Sequence, residues 1–318
     1  MTSLTIGCTI IGESAFSECG GLTSLTISNG VKEIGASAFS SCSSLVSVII
    51  PESVTKIGAG AFFDCNGLTS VAIPNSVTSI DDRTFDSCYG LTSITIPNSI
   101  TSIGWCAFDN CYNLNSVTIP EGVVSIEKEA FHGCSGLNSL TIPKSVKSIG
   151  YKAFCCSGLT SVDIPENVET IGNAAFAEVD MSNVVSHLKV PFAISGISNF
   201  YKTFSQNTFN NAILYVPIGT IDKYKATDGW KDFANIVEGD PASIAEVHNE
   251  SLFIKNEGNN LTIEGADDGE QVNVYTTNGV QAGSAISKNG KAMVNTNLQK
   301  GEIAIVKVGE KSVKVVVK

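Results

Sequence analysis

Along the first 180 residues the apolar positions recur with a period of 23. Phenylalanine marks the period at Phe16, Phe39, Phe62, Phe85, Phe108, Phe131 and Phe154, and Phe176 follows after 22 because one residue is lost between Phe154 and Leu159. Counted from its leucine, each unit follows the pattern L-T-S-I-T-I-P-x-S-V-T-S-I-G-x-x-A-F-x-x-C-x-x, with leucine at Leu22, Leu45, Leu68, Leu91, Leu114, Leu137 and Leu159. A fixed period of this length predicts a solenoid, because one unit cannot bury its own apolar face and must stack on the next.

The pattern inside a unit predicts its local structure. In Leu91, Ile94 and Ile96 the two isoleucines share one face of an extended segment. Proline follows at Pro51, Pro74, Pro97, Pro120, Pro143 and Pro165 and stops further pairing, since it has no N–H to donate. A second short strand carries Val77 and Ile80 or their equivalents. The glycine after it permits a turn that a β-carbon would crowd, and Ala-Phe-x-x-Cys tucks the ring inside. About eight turns at ~4.8 Å each would make a rod of about 40 Å.

After Asp180 the period fades. Residues 187–191 and 213–217 each read as a degenerate strand ending in proline. Residues 220–233 carry Ile221, Tyr224, Trp230 and Phe233 at roughly helical spacing, as expected of a cap over the last exposed core face, with Trp230 a cap residue. Glu238-Gly239-Asp240-Pro241 predicts a boundary, and alternating apolar and polar residues beyond it predict strands at 252–255, 260–264, 271–276, 292–295, 302–308 and 311–317. Asn278-Gly279, Asn289-Gly290 and Gly309-Glu310 are the expected hairpin turns. The expected division is a solenoid over 1–182, degenerate repeats and a cap over 183–240, and a small antiparallel β-sandwich over 241–318.

The cysteines follow the repeat. Cys19, Cys42, Cys65, Cys88, Cys111 and Cys134 lie three residues after phenylalanine, and Cys156 is expected to match them across the deletion. In-register side chains that point the same way suit a disulfide poorly, so a ladder of free, buried thiols is expected. Cys8 and Cys106 fall outside it, and Cys106 is expected to be exposed. Single cysteines 23 residues apart lack the clustering of zinc ligands, and the pair Cys155-Cys156 reads as a product of the deletion, so no metal is expected.

Charge narrows the function. Acids number 31 against 20 bases, a formal net charge of −11, which excludes a strongly basic nucleic-acid binder. Residues 1–180 hold 17 acids and 7 bases, whereas the remainder holds 14 and 13, so the imbalance belongs to the solenoid and reads as a solubility device. No run approaches the roughly 20 apolar residues of a membrane span. Catalytic motifs are missing: His132, His187 and His248 are dispersed, no G-x-S-x-G or H-E-x-x-H occurs, and no glycine-rich phosphate loop precedes a helix. Asp81 and Asp82, adjacent at a turn, read as solvated rather than as an acid/base pair. No enzyme activity and no cofactor are expected.

The 23-residue unit resembles the leucine-rich repeat of BspA-like bacterial surface proteins, from Ser3 to about Asp180, and the stretch around Trp230 resembles the end of such arrays. The resemblance implies a leucine-rich-repeat solenoid in an exported, surface-exposed interaction protein; some members of the family are adhesins that bind host matrix proteins such as fibronectin and fibrinogen. The chain begins inside a repeat, so a signal peptide and further turns are expected upstream. The closing segments N-V-Y-T-T-N-G-V, L-Q-K-G-E-I-A-I-V-K-V-G and K-S-V-K-V-V-V-K resemble the C-terminal sorting or sandwich domains of Bacteroidetes exported proteins, and equally suit a passive module.

A binding function would lie on the surface columns. The strand face carries Thr69, Thr92, Asn115, Asn138 and Thr160 beside a serine column, small and polar. Departures from the consensus say more. At one unit position successive turns present Asp82, Trp105, Lys128 and Tyr151, and stacking would set Lys128 between two rings. Arg83, Glu129 and Lys152 flank this stripe, and Tyr89 and Tyr112 are expected to join it. Such a stripe is either a local cation–π ladder of about 0.5–1 kcal/mol per contact or a contact patch, since exposed aromatics and arginine concentrate binding energy. Arg83, Trp105, Lys128, Tyr151, Tyr89 and Tyr112 are therefore the candidate ligand-binding residues. The expected partner is a macromolecule held non-covalently, a protein of the host matrix or a glycan; a spacer without its own ligand is the other alternative.

Overall fold

The computed structural model describes residues 2–194, 202–239, 253–257, 260–276, 280–299, 302–308 and 311–316, and divides the chain into two compact units, Met1–Glu238 and Gly239–Lys318. The protein is mainly β. In the first unit most turns contribute a longer strand and a two-residue strand that pair in parallel with neighbouring turns; between Ser93–Thr95 and Ser161–Ile164 the turns keep only the two-residue strand. Ser3–Ile6, Ser24–Ile27, Ser47–Ile49, Ser70–Ala72 and Ser93–Thr95 form one sheet, with serine opposite serine at every rung. Of the short strands, Ile10–Ile11, Glu33–Ile34 and Lys56–Ile57 pair in one ribbon, and Ser79–Ile80, Ser102–Ile103, Ser125–Ile126, Ser148–Ile149 and Thr170–Ile171 in another. Alternation is kept: Ser70 and Ala72 are exposed while Val71 is buried.

Because the register has no offset, residues one period apart become neighbours. The phenylalanine rings stack from Phe16 to Phe204 with centroids 5.2–5.7 Å apart and planes within 13° of parallel. Phe204 extends the stack one ring beyond the strict period. The rings from Phe39 to Phe176 are completely buried, and each such ring contributes about 1.5–3 kcal/mol of hydrophobic stabilisation.

The thiol ladder runs beside the rings. Cys42, Cys65, Cys88, Cys111 and Cys134 are buried and unbridged, and each Sγ–H donates at 3.1–3.2 Å to the carbonyl of the phenylalanine in the turn before. Burial pushes the Cys42 thiol up to about 11 and raises its ladder neighbours as well. Two sequence expectations change here. The ladder position after Cys134 belongs to Ser157, whose N–H bonds Phe154 as Cys134 bonds Phe131; the deletion falls after it, and Cys156 is exposed. Cys106 is buried, not exposed: it sits two residues before Phe108 on a segment clamped to the next turn, and its Sγ donates to Glu129 at 3.5 Å.

That clamped segment explains a second regularity. The residues two before and two after each ring from Phe16 to Phe176 have left-handed backbones, as at Arg83 (φ 56°), Ser87 (φ 59°), Cys106 (φ 51°) and Asn110 (φ 58°). Each costs roughly 1–2 kcal/mol for a side chain other than glycine. Inter-turn hydrogen bonds offset the cost: the N–H groups of Arg83, Phe85 and Ser87 donate to the carbonyls of Trp105, Ala107 and Asp109 at 2.8–2.9 Å. The repeat glycine serves another purpose, close approach. A β-carbon on Gly150 would lie 2.4 Å from the Lys128 nitrogen in the preceding turn.

The stack closes with less regular turns. Asn183–Ser186 pairs with Ser161–Ile164, then Ile213–Val216 and Asn235–Glu238 follow in parallel. The expected strand at 187–191 is thus displaced to 183–186, where Val184 and Val185 supply the buried pair; Val190 is exposed. Over the last ring, the helix Ile221–Ala226 and the 3-10 turn Trp230–Asp232 bring Tyr224, Trp230 and Phe233 together, and Trp230 is fully buried with its Nε1–H donating to Phe192. The short helix Gln206–Asn211, capped by Ser205, adds Phe209 edge-on to Phe204.

The second unit holds two antiparallel sheets. Phe253–Glu257, Asn260–Glu264 and Lys291–Asn295 form one, and Gln281–Ile286, Gln271–Thr276, Ile303–Val308 and Lys311–Val316 the other. Leu261, Ile263, Val272, Val274, Val294 and Val306 share one core, consistent with a small β-sandwich. Gln281–Ile286 has no apolar alternation and no expectation covered it. Asn289 and Gly290 take positive φ (52° and 73°) as a hairpin turn requires; Asn278-Gly279 and Gly309-Glu310 lie outside the described residues.

Two predictions follow from the stacking. Gly12 and Gly150 share a unit position, yet a β-carbon on Gly12 meets nothing within 4 Å. Denaturant unfolding should find Gly150→Ala destabilised by more than ~1 kcal/mol and Gly12→Ala neutral or up to about 1 kcal/mol more stable; equal effects would contradict the close-approach account. Cys8, Cys19 and Cys156 are the exposed thiols. Ellman titration of the reduced native chain should therefore register about three fast thiols, rising to all ten in denaturant.

Candidate ligand-binding site

Four of the six expected residues come together on the clamped segments of consecutive turns. Lys128 Nζ lies 5.4 Å from the Trp105 ring centre and 5.8 Å from that of Tyr151. The Arg83 guanidinium, from the turn before Trp105, lies 5.5 Å from the same indole, and Lys152 lies 5.4 Å from the Tyr151 ring. Phe63, which no expectation included, extends the row, with Arg83 5.1 Å from its ring centre. Its signal was in the repeat: it stands one turn before Asp86 in the column next to the buried rings.

Carboxylates fix the row from below. Asp82 Oδ1 accepts the Trp105 backbone N–H at 2.8 Å, and Glu129 Oε2 accepts the indole N–H at 3.1 Å while standing 3.7 Å from Lys128 Nζ. Burial works to raise the Glu129 pKa, but the Trp105 hydrogen bond and the Lys128 charge outweigh it and hold the carboxyl below its usual range. Arg83 Nε pairs with the buried Asp86 at 2.9 Å, which raises the guanidinium further. For Asp86 desolvation prevails and its pKa is raised. Trp105 remains 39% exposed, Arg83 and Lys128 are exposed, and Tyr151 is half-buried. The result is a preorganised, partly exposed alternation of rings and cations, able to contact a partner without rearranging.

Tyr89 and Tyr112 do not extend this row. They stack on one another, centroids 5.1 Å apart and planes 12° off parallel, where the chain passes from cysteine to leucine. They are 39% and 45% exposed and make a separate aromatic pair.

The strand face is polar, as expected, with hydroxyls turned onto backbone: Thr69 and Thr92 donate to the carbonyls one turn earlier. Val46 and Ile49 interrupt it as exposed apolar residues. Near the later turns a cavity of about 280 Å³ is lined by Glu121, Lys144, Asp163, Glu166 and His187, with His187 Nε2 2.8 Å from Asp163. Among the described residues no helix is long and apolar enough to cross a membrane.

Comparison with known proteins agrees with this architecture. Residues 9–111 and 78–212 match the BspA type leucine rich repeat region, in six copies. Among curated proteins none matches the chain. A solved leucine-rich repeat protein from Bacteroides ovatus is 23% identical, with a TM-score of 0.59 over 75% of this chain and 61% of its own. A leucine rich cell surface protein from Faecalibacterium prausnitzii is 27% identical over 76% of this chain and 80% of its own, with a TM-score of 0.46. The chain thus spans about three-fifths of the Bacteroides protein, whose likeness establishes the fold. A leucine-rich repeat solenoid is an interaction scaffold, offering extended surface rather than a closed catalytic pocket. With repeat matches running from residue 9 to residue 212 over parallel, in-register turns, the chain belongs to the BspA-type leucine-rich repeat family.

Proposed function

We propose that this is an exported, surface-exposed binding protein that holds a macromolecular partner non-covalently, adhesin-like, through the row Arg83, Trp105, Lys128 and Tyr151. The exported setting rests on what membership of the BspA-type family implies. The observation that carries the binding reading is the ring–cation alternation itself, built where the repeat departs from its consensus and left exposed although its geometry is fixed. A purely structural ladder would gain more by burial than by exposure at 39% of Trp105.

Ring occupancy favours a protein over a glycan. Sugar rings stack on open aromatic faces, yet Trp105 has a cation from the turn before and another from the turn after. What remains available is ring edge together with guanidinium and ammonium donors, a combination suited to carboxylates and carbonyls of a protein partner. Each cation is paired, Arg83 with Asp86 and Lys128 with Glu129, so the contact is close-range and little dependent on the long-range field.

The test is surface-plasmon capture of fibronectin and fibrinogen by the full chain, with a glycan array alongside. The expected result is protein capture that falls at least tenfold in the Trp105→Ala/Tyr151→Ala double variant, with unchanged circular dichroism, and that changes little between low and physiological salt. Unchanged capture by the double variant would remove the row from consideration; a steep salt dependence would show that net charge participates. Capture on the glycan array alone would favour the glycan reading, and no capture at micromolar concentration the spacer.

A further inference from the structure

One residue past each buried ring, successive turns carry Asp86, Asp109, His132 and Cys155. Stacking makes this column a contact series. Asp109 Oδ1 lies 2.7 Å from His132 Nδ1, and a ring nitrogen of His132 and the Sγ atoms of Cys155 and Cys156 all lie within 4.8 Å of one another. The two sulfurs are 3.6 Å apart. We propose that His132, Cys155 and Cys156 form a binding site for a divalent cation of the zinc class, with Asp109 as the positioning residue for the imidazole.

The donor set and its geometry support this assignment. Two thiolates and an imidazole select a borderline-soft cation over magnesium or calcium. Zn–S bonds of about 2.3 Å in a tetrahedron require sulfurs roughly 3.8 Å apart, close to the separation present. Asp109 engages Nδ1, which leaves Nε2 for the cation and fixes the ring, the arrangement by which carboxylates orient ligating histidines. Consecutive side chains on an extended backbone point apart, but Cys156 has a left-handed φ of 59°, the recurrent backbone state of this unit position, and its thiol lies beside that of Cys155. Cys155 is buried, His132 half-buried and Cys156 exposed, so the site has a solvent-facing entry side. Binding would displace the two thiol protons to solvent and form two metal–sulfur bonds and one metal–nitrogen bond, with no change of oxidation state.

A neighbouring group, Asp86, Cys106 and Asp109, has similar proximity, but each member is already engaged by another side chain. Asp86 is held by Arg83 and Ser87, Cys106 donates to Glu129, and Asp109 is the partner of His132. No spacing in the linear sequence announces the first site, because its histidine lies 23 residues from the nearer cysteine.

Titration of the reduced, metal-free full chain with Co²⁺ tests the proposal, read by the thiolate-to-cobalt charge-transfer band and the visible bands of a tetrahedral site. The expected result is saturation at one equivalent, bleaching on addition of Zn²⁺, and a rise in melting temperature with Zn²⁺. Cys156→Ser, at an exposed position, should abolish the charge-transfer intensity of one thiolate and weaken binding at least tenfold. Asp109→Asn should weaken it about 10–100-fold with the spectrum retained. Cys19→Ser, an exposed thiol elsewhere, should change nothing. Absence of a saturable cobalt spectrum, an unchanged spectrum in both Cys156→Ser and His132→Gln, or loss in Cys19→Ser would each overturn the assignment.

Discussion

Zero-offset stacking of identical turns is the constraint on which the rest of the first unit depends. Serine lies opposite serine, isoleucine opposite isoleucine and ring over ring at about 5.5 Å, so every unit position becomes a column. One turn has too little apolar surface to hold itself together, and the column supplies what the turn lacks. The same register imposes small residues where backbones touch, as at Gly150, and places a weak thiol donor opposite the phenylalanine carbonyls from Phe16 to Phe108.

Columns also generate chemistry that no single turn contains. Trp105 takes a cation from the turn before and another from the turn after; its indole N–H is bound by Glu129, which reaches Lys128 and Cys106 as well. One carboxylate thereby orders three side chains drawn from two turns. A few substitutions per turn, on a backbone already clamped by inter-turn hydrogen bonds, suffice to convert a neutral scaffold into a preorganised surface. The left-handed residues flanking each ring are part of that device, since they lie on the segments that carry Arg83, Cys106, Glu129 and Lys152.

What was legible in the sequence was whatever repeats. The period exposed the ring stack, the two strands per turn and the seat of Lys128 between Trp105 and Tyr151, because stacking is a rule that can be applied by arithmetic. Where the rule loosens, reading fails for physical reasons. Cys106 occupies a variable column whose burial depends on Glu129 in the next turn, and the strand at 183–186 is chosen by burial of Val184 and Val185 rather than by the proline signal downstream. Gln281–Ile286 carries no apolar alternation to betray it, its contact with the core coming from Ala282 and Ala285. The approach of His132 to Cys155 and Cys156 escaped because metal-ligand spacings are catalogued along the chain, whereas a solenoid measures distance across turns.

The central claim is that energy passes between adjacent turns through the buried rings. Double-mutant cycles on Phe85→Leu, Phe108→Leu and Phe154→Leu, read by denaturant unfolding of the full chain, measure this directly. The account predicts a coupling of about 0.5–3 kcal/mol between the adjacent Phe85 and Phe108, and additivity within about 0.5 kcal/mol between Phe85 and Phe154, three turns apart. Equal coupling for the two pairs, or none for the adjacent one, would contradict it.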